Sequence, residues 1–131
     1  MTSYNSAMPE RSADPELMKA ACALLDAGGS RGTGFLVSPE RVLTCHHVVR
    51  SADDAPILVS FPHGQYRARV ELVDAEHDCA LLRLTQPVPA ADARPLLLAT
   101  EPAARGAAWE GYGFPAATGQ AGLLIEGRIQ D

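Results

Sequence analysis

The 131-residue sequence predicts an all-β domain. Three observations carry that expectation. From Tyr66 to Val73, residues Tyr66, Ala68, Val70 and Leu72 alternate with Arg67, Arg69, Glu71 and Val73, the period of two that marks a strand with one solvated face. Short apolar runs at Thr33–Ser38, Arg41–Thr44, Ile57–Phe61 and Cys79–Thr85 are separated by turn chemistry at Gly28-Gly29-Ser30, Ser38-Pro39-Glu40 and Pro62-His63-Gly64-Gln65. With three Phe, three Tyr and one Trp, the core must be filled by Val, Leu and Ala, and the chain is long enough to bury one core of ordinary size.

Taken in order, residues 1–16 are rich in Ser, Pro, Glu and Asp and read as a flexible arm. Leu17 to Asp26 supports two readings. Its Ala, Leu, Met and Lys favour helix, while its length and the Gly-Gly turn behind it suit a first strand. Gly28-Gly29-Ser30 then turns the chain into Thr33–Ser38. Pro39 stands at the second position of the next turn, where its φ is already suitable. Arg41–Thr44 is a short strand ending in a helical turn around Cys45–Arg50. Ser51–Pro56 is a loop by composition, and strands follow at Ile57–Phe61 and from Tyr66. The near-continuous apolar run Cys79–Thr85 predicts a strand buried on both faces. Residues 86–104 hold four prolines and form an irregular connector with one extended piece at Pro95–Ala99. Ala107–Phe114 and Leu123–Gln130 close the chain as two more strands.

Composition bounds the function. An apolar content of 47% fits a folded globule rather than a disordered chain. A net charge of −5 with scattered basic residues speaks against nucleic acid and against an anionic membrane surface. No apolar run approaches the ~20 residues of a transmembrane helix. The polar start lacks the basic and apolar segments of a signal peptide. Three cysteines do not suggest a disulfide framework, so the expectation is a cytoplasmic protein with reduced thiols.

Two stretches carry chemistry. One is Gly32-Thr33-Gly34-Phe35-Leu36-Val37, followed through Ser38-Pro39-Glu40 by Val42-Leu43-Thr44-Cys45-His46-His47-Val48-Val49; the other is Glu76-His77-Asp78-Cys79-Ala80-Leu81-Leu82-Arg83-Leu84. Together they resemble the catalytic-histidine and catalytic-aspartate segments of trypsin-like serine peptidases, in a spacing similar to the compact bacterial members. The resemblance selects strand for Leu17–Asp26. It implies a double β-barrel, with a peptidase domain at 17–131, the first barrel at about 17–100 and a truncated start of the second at about 105–131, where Gly111-Tyr112-Gly113 matches loosely.

The resemblance also assigns roles. His47, directly before Val48-Val49, stands at the position of the general base, and Asp78 at that of the buried carboxylate that holds the imidazole's tautomer. His46 falls where a small residue is usual and is expected to point elsewhere. No cofactor and no metal are implied, and the implied partners are a polypeptide substrate and, by analogy with peptidase modules of bacterial multidomain proteins, further domains of a longer chain.

Bland alternatives stand beside these readings. A lone histidine in an apolar stretch, or an aspartate at a strand start, is usually structural. Cys45 and Cys79 read as small buried hydrophobes beside the site. Zinc ligation by Cys45, His46, His47, His77 and Cys79 has the right ligand types but no known spacing, and Cys79 as a nucleophile would face away from substrate. The serines are Ser3, Ser6, Ser12, Ser30, Ser38, Ser51 and Ser60, and none follows Asp78. The expectation is therefore a serine endopeptidase module that supplies histidine and aspartate but is inactive alone. The alternative is a catalytically inactive barrel that serves as a binding module.

Overall fold

The computed structural model describes residues 15–52, 55–97, 104–106, 108–114 and 122–128. Residues 1–14 of the expected arm lie outside them. Its last two residues, Pro15 and Glu16, open a helix instead.

That helix, α1 (Pro15–Ala21), and the strand β1 (Cys22–Ala27) divide the stretch expected to be strand throughout. The correction has a local cause. Pro15 supplies a helix-compatible φ at the first position, Glu16 favours the N-terminal dipole, and Leu17, Met18, Lys19 and Ala20 are strong helix formers. Strand begins where pairing with β2 begins, at Cys22 opposite Phe35, and β4 joins on the other side from Leu24.

Gly28 and Gly29 both adopt positive φ, 65° and 97°, and join β1 to β2 (Ser30–Ser38) by a two-residue hairpin. The Gly29 N–H donates to Asp26 Oδ1 at 3.2 Å across this turn. The tight turn lets pairing start at Ala27–Ser30, three residues before the expected strand start.

β3 (Arg41–Thr44), the short helix α2 (His46–Val49), β4 (Ile57–Phe61), β5 (Gly64–Asp74) and β6 (Cys79–Leu84) complete a closed six-stranded barrel. Its order is β1-β2-β3-β6-β5-β4, with β4 returning to β1. Leu25, Leu36, Val42, Ile57, Val59 and Leu82 fill the interior almost without exposure. Two expectations about faces are corrected here. β6 is buried on one face only: Ala80, Leu82 and Leu84 point inward, while Cys79 and Leu81 are half-buried and Arg83 is exposed. In β5 the alternation stops working after Ala68. The register with β6 shifts between Val70 and Leu72, leaving Glu71 as the extra residue of a bulge, and Val70, Leu72 and Val73 are all exposed. Glu71 is held by Arg41 Nε at 2.9 Å, reaching across β6 from β3.

The connector after β6 runs without strand through the described residues to Leu97. It is tied down by Val88 N–H to the Pro39 carbonyl and Leu96 N–H to the Leu36 carbonyl, each 2.8 Å. Leu98 and Ala99, the end of its expected extended piece, lie outside the described residues. β7 (Ala108–Gly113) and β8 (Leu123–Arg128) form a separate antiparallel pair. The Phe114 N–H donates to Thr33 Oγ1 at 3.0 Å and joins this pair to β2. No described helix is long and apolar enough to cross a membrane.

Candidate active site

The site is built at the end of β3, where the backbone leaves the barrel. Thr44 is the last inward-facing residue of that strand. Its buried Oγ1 donates to the Thr33 carbonyl at 2.8 Å, which ties β3 to β2 at the point of exit. Cys45 keeps extended geometry (φ −85°, ψ 141°) and caps α2 without a side-chain hydrogen bond. The four residues of α2 form a single turn whose Val48 and Val49 are buried. This turn can sit close to β2 because Gly32 has no side chain. A Cβ there would lie 2.5 and 2.9 Å from the two methyl carbons of Val48. Gly34 plays the same part for Val42, at 2.7 Å. The Gly32-Thr33-Gly34 triplet thus makes room for two buried valines and supplies the carbonyl and hydroxyl between them.

Burial of Val48 and Val49 turns the other face of α2 outward, and that face presents His47. Asp78 arrives from the turn Ala75–Asp78 between β5 and β6, with φ at 54°, a conformation that aspartate tolerates better than most residues. The two meet at two points. The His47 N–H donates to Asp78 Oδ1 at 2.8 Å, and His47 Nδ1 lies 2.6 Å from Asp78 Oδ2. A further backbone bond, His46 N–H to the Asp78 carbonyl at 3.1 Å, fixes the turn against α2. These hydrogen bonds from the His47 ring and backbone hold the Asp78 carboxyl below the usual carboxylate range. Among the described residues the ring's Nε2 has no hydrogen-bond partner.

The expected burial of the carboxylate is not found. Side-chain exposure is 58% for His47 and 48% for Asp78, because the pair lies on the barrel rim rather than in a cleft among the described residues. The cysteines also depart from the expectation of small buried hydrophobes. Cys45 is exposed, Cys79 is half-buried, and only Cys22 is fully inside. Cys45 Sγ, a His47 ring nitrogen and an Asp78 oxygen lie within 4.8 Å of one another. His77 is turned away from this group toward Asp74.

That last contact was missed in the sequence. Asp74 Oδ1 accepts the His77 N–H at 3.2 Å, and its Oδ2 lies 2.9 Å from His77 Nδ1. The arrangement repeats the His47–Asp78 geometry within one turn, and the D-x-x-H spacing was the available signal. It shows that a histidine–carboxylate pair can be purely a turn fastener. What sets His47 and Asp78 apart is their origin on elements 31 residues apart, brought together by barrel closure.

Comparison with known proteins follows the same lines. The profile of the family described as "Trypsin-like peptidase domain" matches residues 32–131. The serine protease Rv3671c of Mycobacterium tuberculosis is 36% identical over 84 residues, covering 64% of this chain and 20% of that protein. The crystal structure of its active form superposes with a TM-score of 0.72 at 28% identity, over 92% of this chain and 56% of that one. A serine endoprotease from Yersinia pestis gives a TM-score of 0.70 at 19% identity, over 97% and 45%, a likeness of fold. The chain spans a fifth or less of the length of the curated relatives it matches.

Proposed function

Since the chain belongs to the family of trypsin-like peptidase domains, we propose that it carries the general base and the orienting carboxylate of a serine endopeptidase, His47 and Asp78. The observation that carries this reading is the double engagement of His47 by one carboxylate, at its backbone and at its ring. Asp78 Oδ2 accepts a hydrogen bond from Nδ1–H and so leaves Nε2 as the basic nitrogen. That nitrogen accepts a hydroxyl proton as the hydroxyl attacks a peptide carbonyl, and returns it to the departing amine. Asp78 stabilises the imidazolium formed between the two transfers, and its depressed pKa keeps it ionised for that task.

The reading places the nucleophile and the oxyanion donors outside these 131 residues, since no serine follows Asp78. The half-exposed pair accords with a site whose other wall is contributed elsewhere. The substrate is a polypeptide, and further domains act with this one. The 131-residue chain by itself does not turn over peptides, because a base without a nucleophile cannot form a tetrahedral intermediate.

The test compares the 131-residue chain with the same chain extended along its natural reading frame. Peptide hydrolysis and labelling by a serine-directed phosphonate are expected in the extended form only. In that form His47→Ala and replacement of the new serine should cost about the same, and together little more, since members of one unit are not additive. Turnover by the 131-residue chain would end this reading. A native stop after codon 131 would favour the second reading, a barrel that binds rather than cleaves, for which the exposure of the pair is the specific observation.

A further inference from the structure

Cys45 and Cys79 flank the site on both strands, and the barrel ladder sets them opposite each other. β3 and β6 pair Val42 with Leu82, Leu43 with Leu81 and Thr44 with Ala80. One step further along the same register brings Cys45 opposite Cys79, and the next brings His46 opposite Asp78. The His46 N–H donates to the Asp78 carbonyl, so hydrogen bonding continues to that last step. Hydrogen-bonded and open pairs alternate along an antiparallel ladder, which makes Cys45–Cys79 an open pair, with Cα atoms about 4.5 Å apart and side chains at their closest. A disulfide spans Cα separations of about 4.4–6.8 Å. Thr44 and Ala80 point into the core at 7% and 1% exposure, so the next residue on each strand faces outward, and the two cysteines share one face. Neither cysteine is in a disulfide, Cys79 Sγ donating to the His77 carbonyl at 3.4 Å, and the exposure of Cys45 gives an oxidant a path to the pair.

We propose that Cys45 and Cys79 are an oxidisable dithiol that closes to a disulfide across the end of the β3–β6 ladder. The co-reactant is a small-molecule disulfide of the glutathione class. One cysteine thiolate attacks a sulfur of that disulfide, its S–S bond breaks, and the leaving thiolate takes a proton. The second cysteine then attacks the mixed disulfide, the Cys45 Sγ–Cys79 Sγ bond forms, and a second small thiol departs. Two protein thiols are oxidised by two electrons and one small disulfide is reduced to two thiols. The new bond ties the residue before α2 to the first residue of β6, and so braces the two segments that carry His47 and Asp78. It also draws the Cys45 sulfur away from the group it shares with those two side chains. Its formation does not depend on whether the barrel is a peptidase.

The folded 131-residue chain is incubated with oxidised glutathione, quenched in acid, alkylated and mapped by mass spectrometry. The expected product is about 2 Da lighter than the reduced chain and contains one linked peptide joining Cys45 to Cys79, reversed by dithiothreitol. The rate should rise with pH, because partial burial, Asp78 and Cys79 raise the Cys45 thiol above its ordinary range. Cys45→Ser, an exposed position, and Cys79→Ser should each stop at a single glutathione adduct, with no linked peptide. Glutathione adducts on both Cys45 and Cys79 of the unaltered chain, or both residues still alkylatable after prolonged incubation, with circular dichroism showing the native fold, would overturn the proposal.

Discussion

Replacing Gly32 with alanine places a methyl group where Val48 already sits. The new Cβ would stand 2.5, 2.9 and 3.3 Å from three Val48 side-chain carbons, the first two closer than real contacts allow. Val48 is 5% exposed, so the clash is expected to push α2 away from β2. Overpacking of this kind costs about 1–3 kcal/mol. The loss of glycine's freedom in the unfolded chain returns about 0.4–1 kcal/mol. A net destabilisation of about 1–2 kcal/mol is expected, or roughly 4–8 °C in Tm for a domain of this size. Urea titration or calorimetry measures it. The local readout is the His47 ring, whose Nδ1–H resonance should shift or broaden as α2 is displaced from Asp78. In an extended, active form, a displacement approaching 1 Å should cost on the order of 10²-fold in turnover. The companion variant Val48→Ala removes the two methyl groups concerned. The double variant Gly32→Ala with Val48→Ala should be more stable than the sum of the single changes implies, by about 1 kcal/mol or more. Strict additivity, or a Gly32→Ala protein with native Tm and an unmoved His47 signal, would refute the packing account of this glycine.

Three further outcomes are expected. Because hydrogen bonds from His47 depress the Asp78 pKa, its contribution to stability is present above the unfolded value of about 3.9 and is lost as pH falls through the lower native value; urea midpoints measured from pH 6 to pH 2 should fall less steeply in Asp78→Asn. Asp74, depressed in the same way by the His77 ring and backbone, should give a similar flattening as Asp74→Asn while leaving the His47 ring signals in place, which a shift of those signals would contradict. Thr33→Val removes the acceptor of the Phe114 N–H and should lower hydrogen-exchange protection at Tyr112 and Gly113 while Leu81–Leu84 stay protected; equal protection at both places in the variant monomer would show that the β7–β8 pair does not depend on this contact.

Much of the barrel was legible in the chain because its signals are local. Two adjacent glycines admit the positive φ of a tight hairpin, and Pro39 and Pro62-His63 break apolar runs where the strands turn. The positions of β3 and β4 follow from those breaks to the residue. The contact of His47 with Asp78 was legible through the resemblance of their two segments to the catalytic-histidine and catalytic-aspartate segments of the peptidase family. Other features depend on what lies beside a residue rather than on what precedes it. Residues 17–21 have the same helix-forming composition whether or not a partner strand is near, and β1 begins only at Cys22, where β2 comes alongside, with β4 joining from Leu24. The apolar run of β6 resembles a doubly buried strand, but the barrel covers only its inner face. Alternation in β5 fails after Ala68, where Val70, Leu72 and Val73 are all exposed around the Glu71 bulge. The approach of Cys45 to Cys79 across 34 residues of chain follows from carrying the register of β3 on β6 one step past Thr44–Ala80. Register is a property of two strands at once, and no single stretch of sequence contains it.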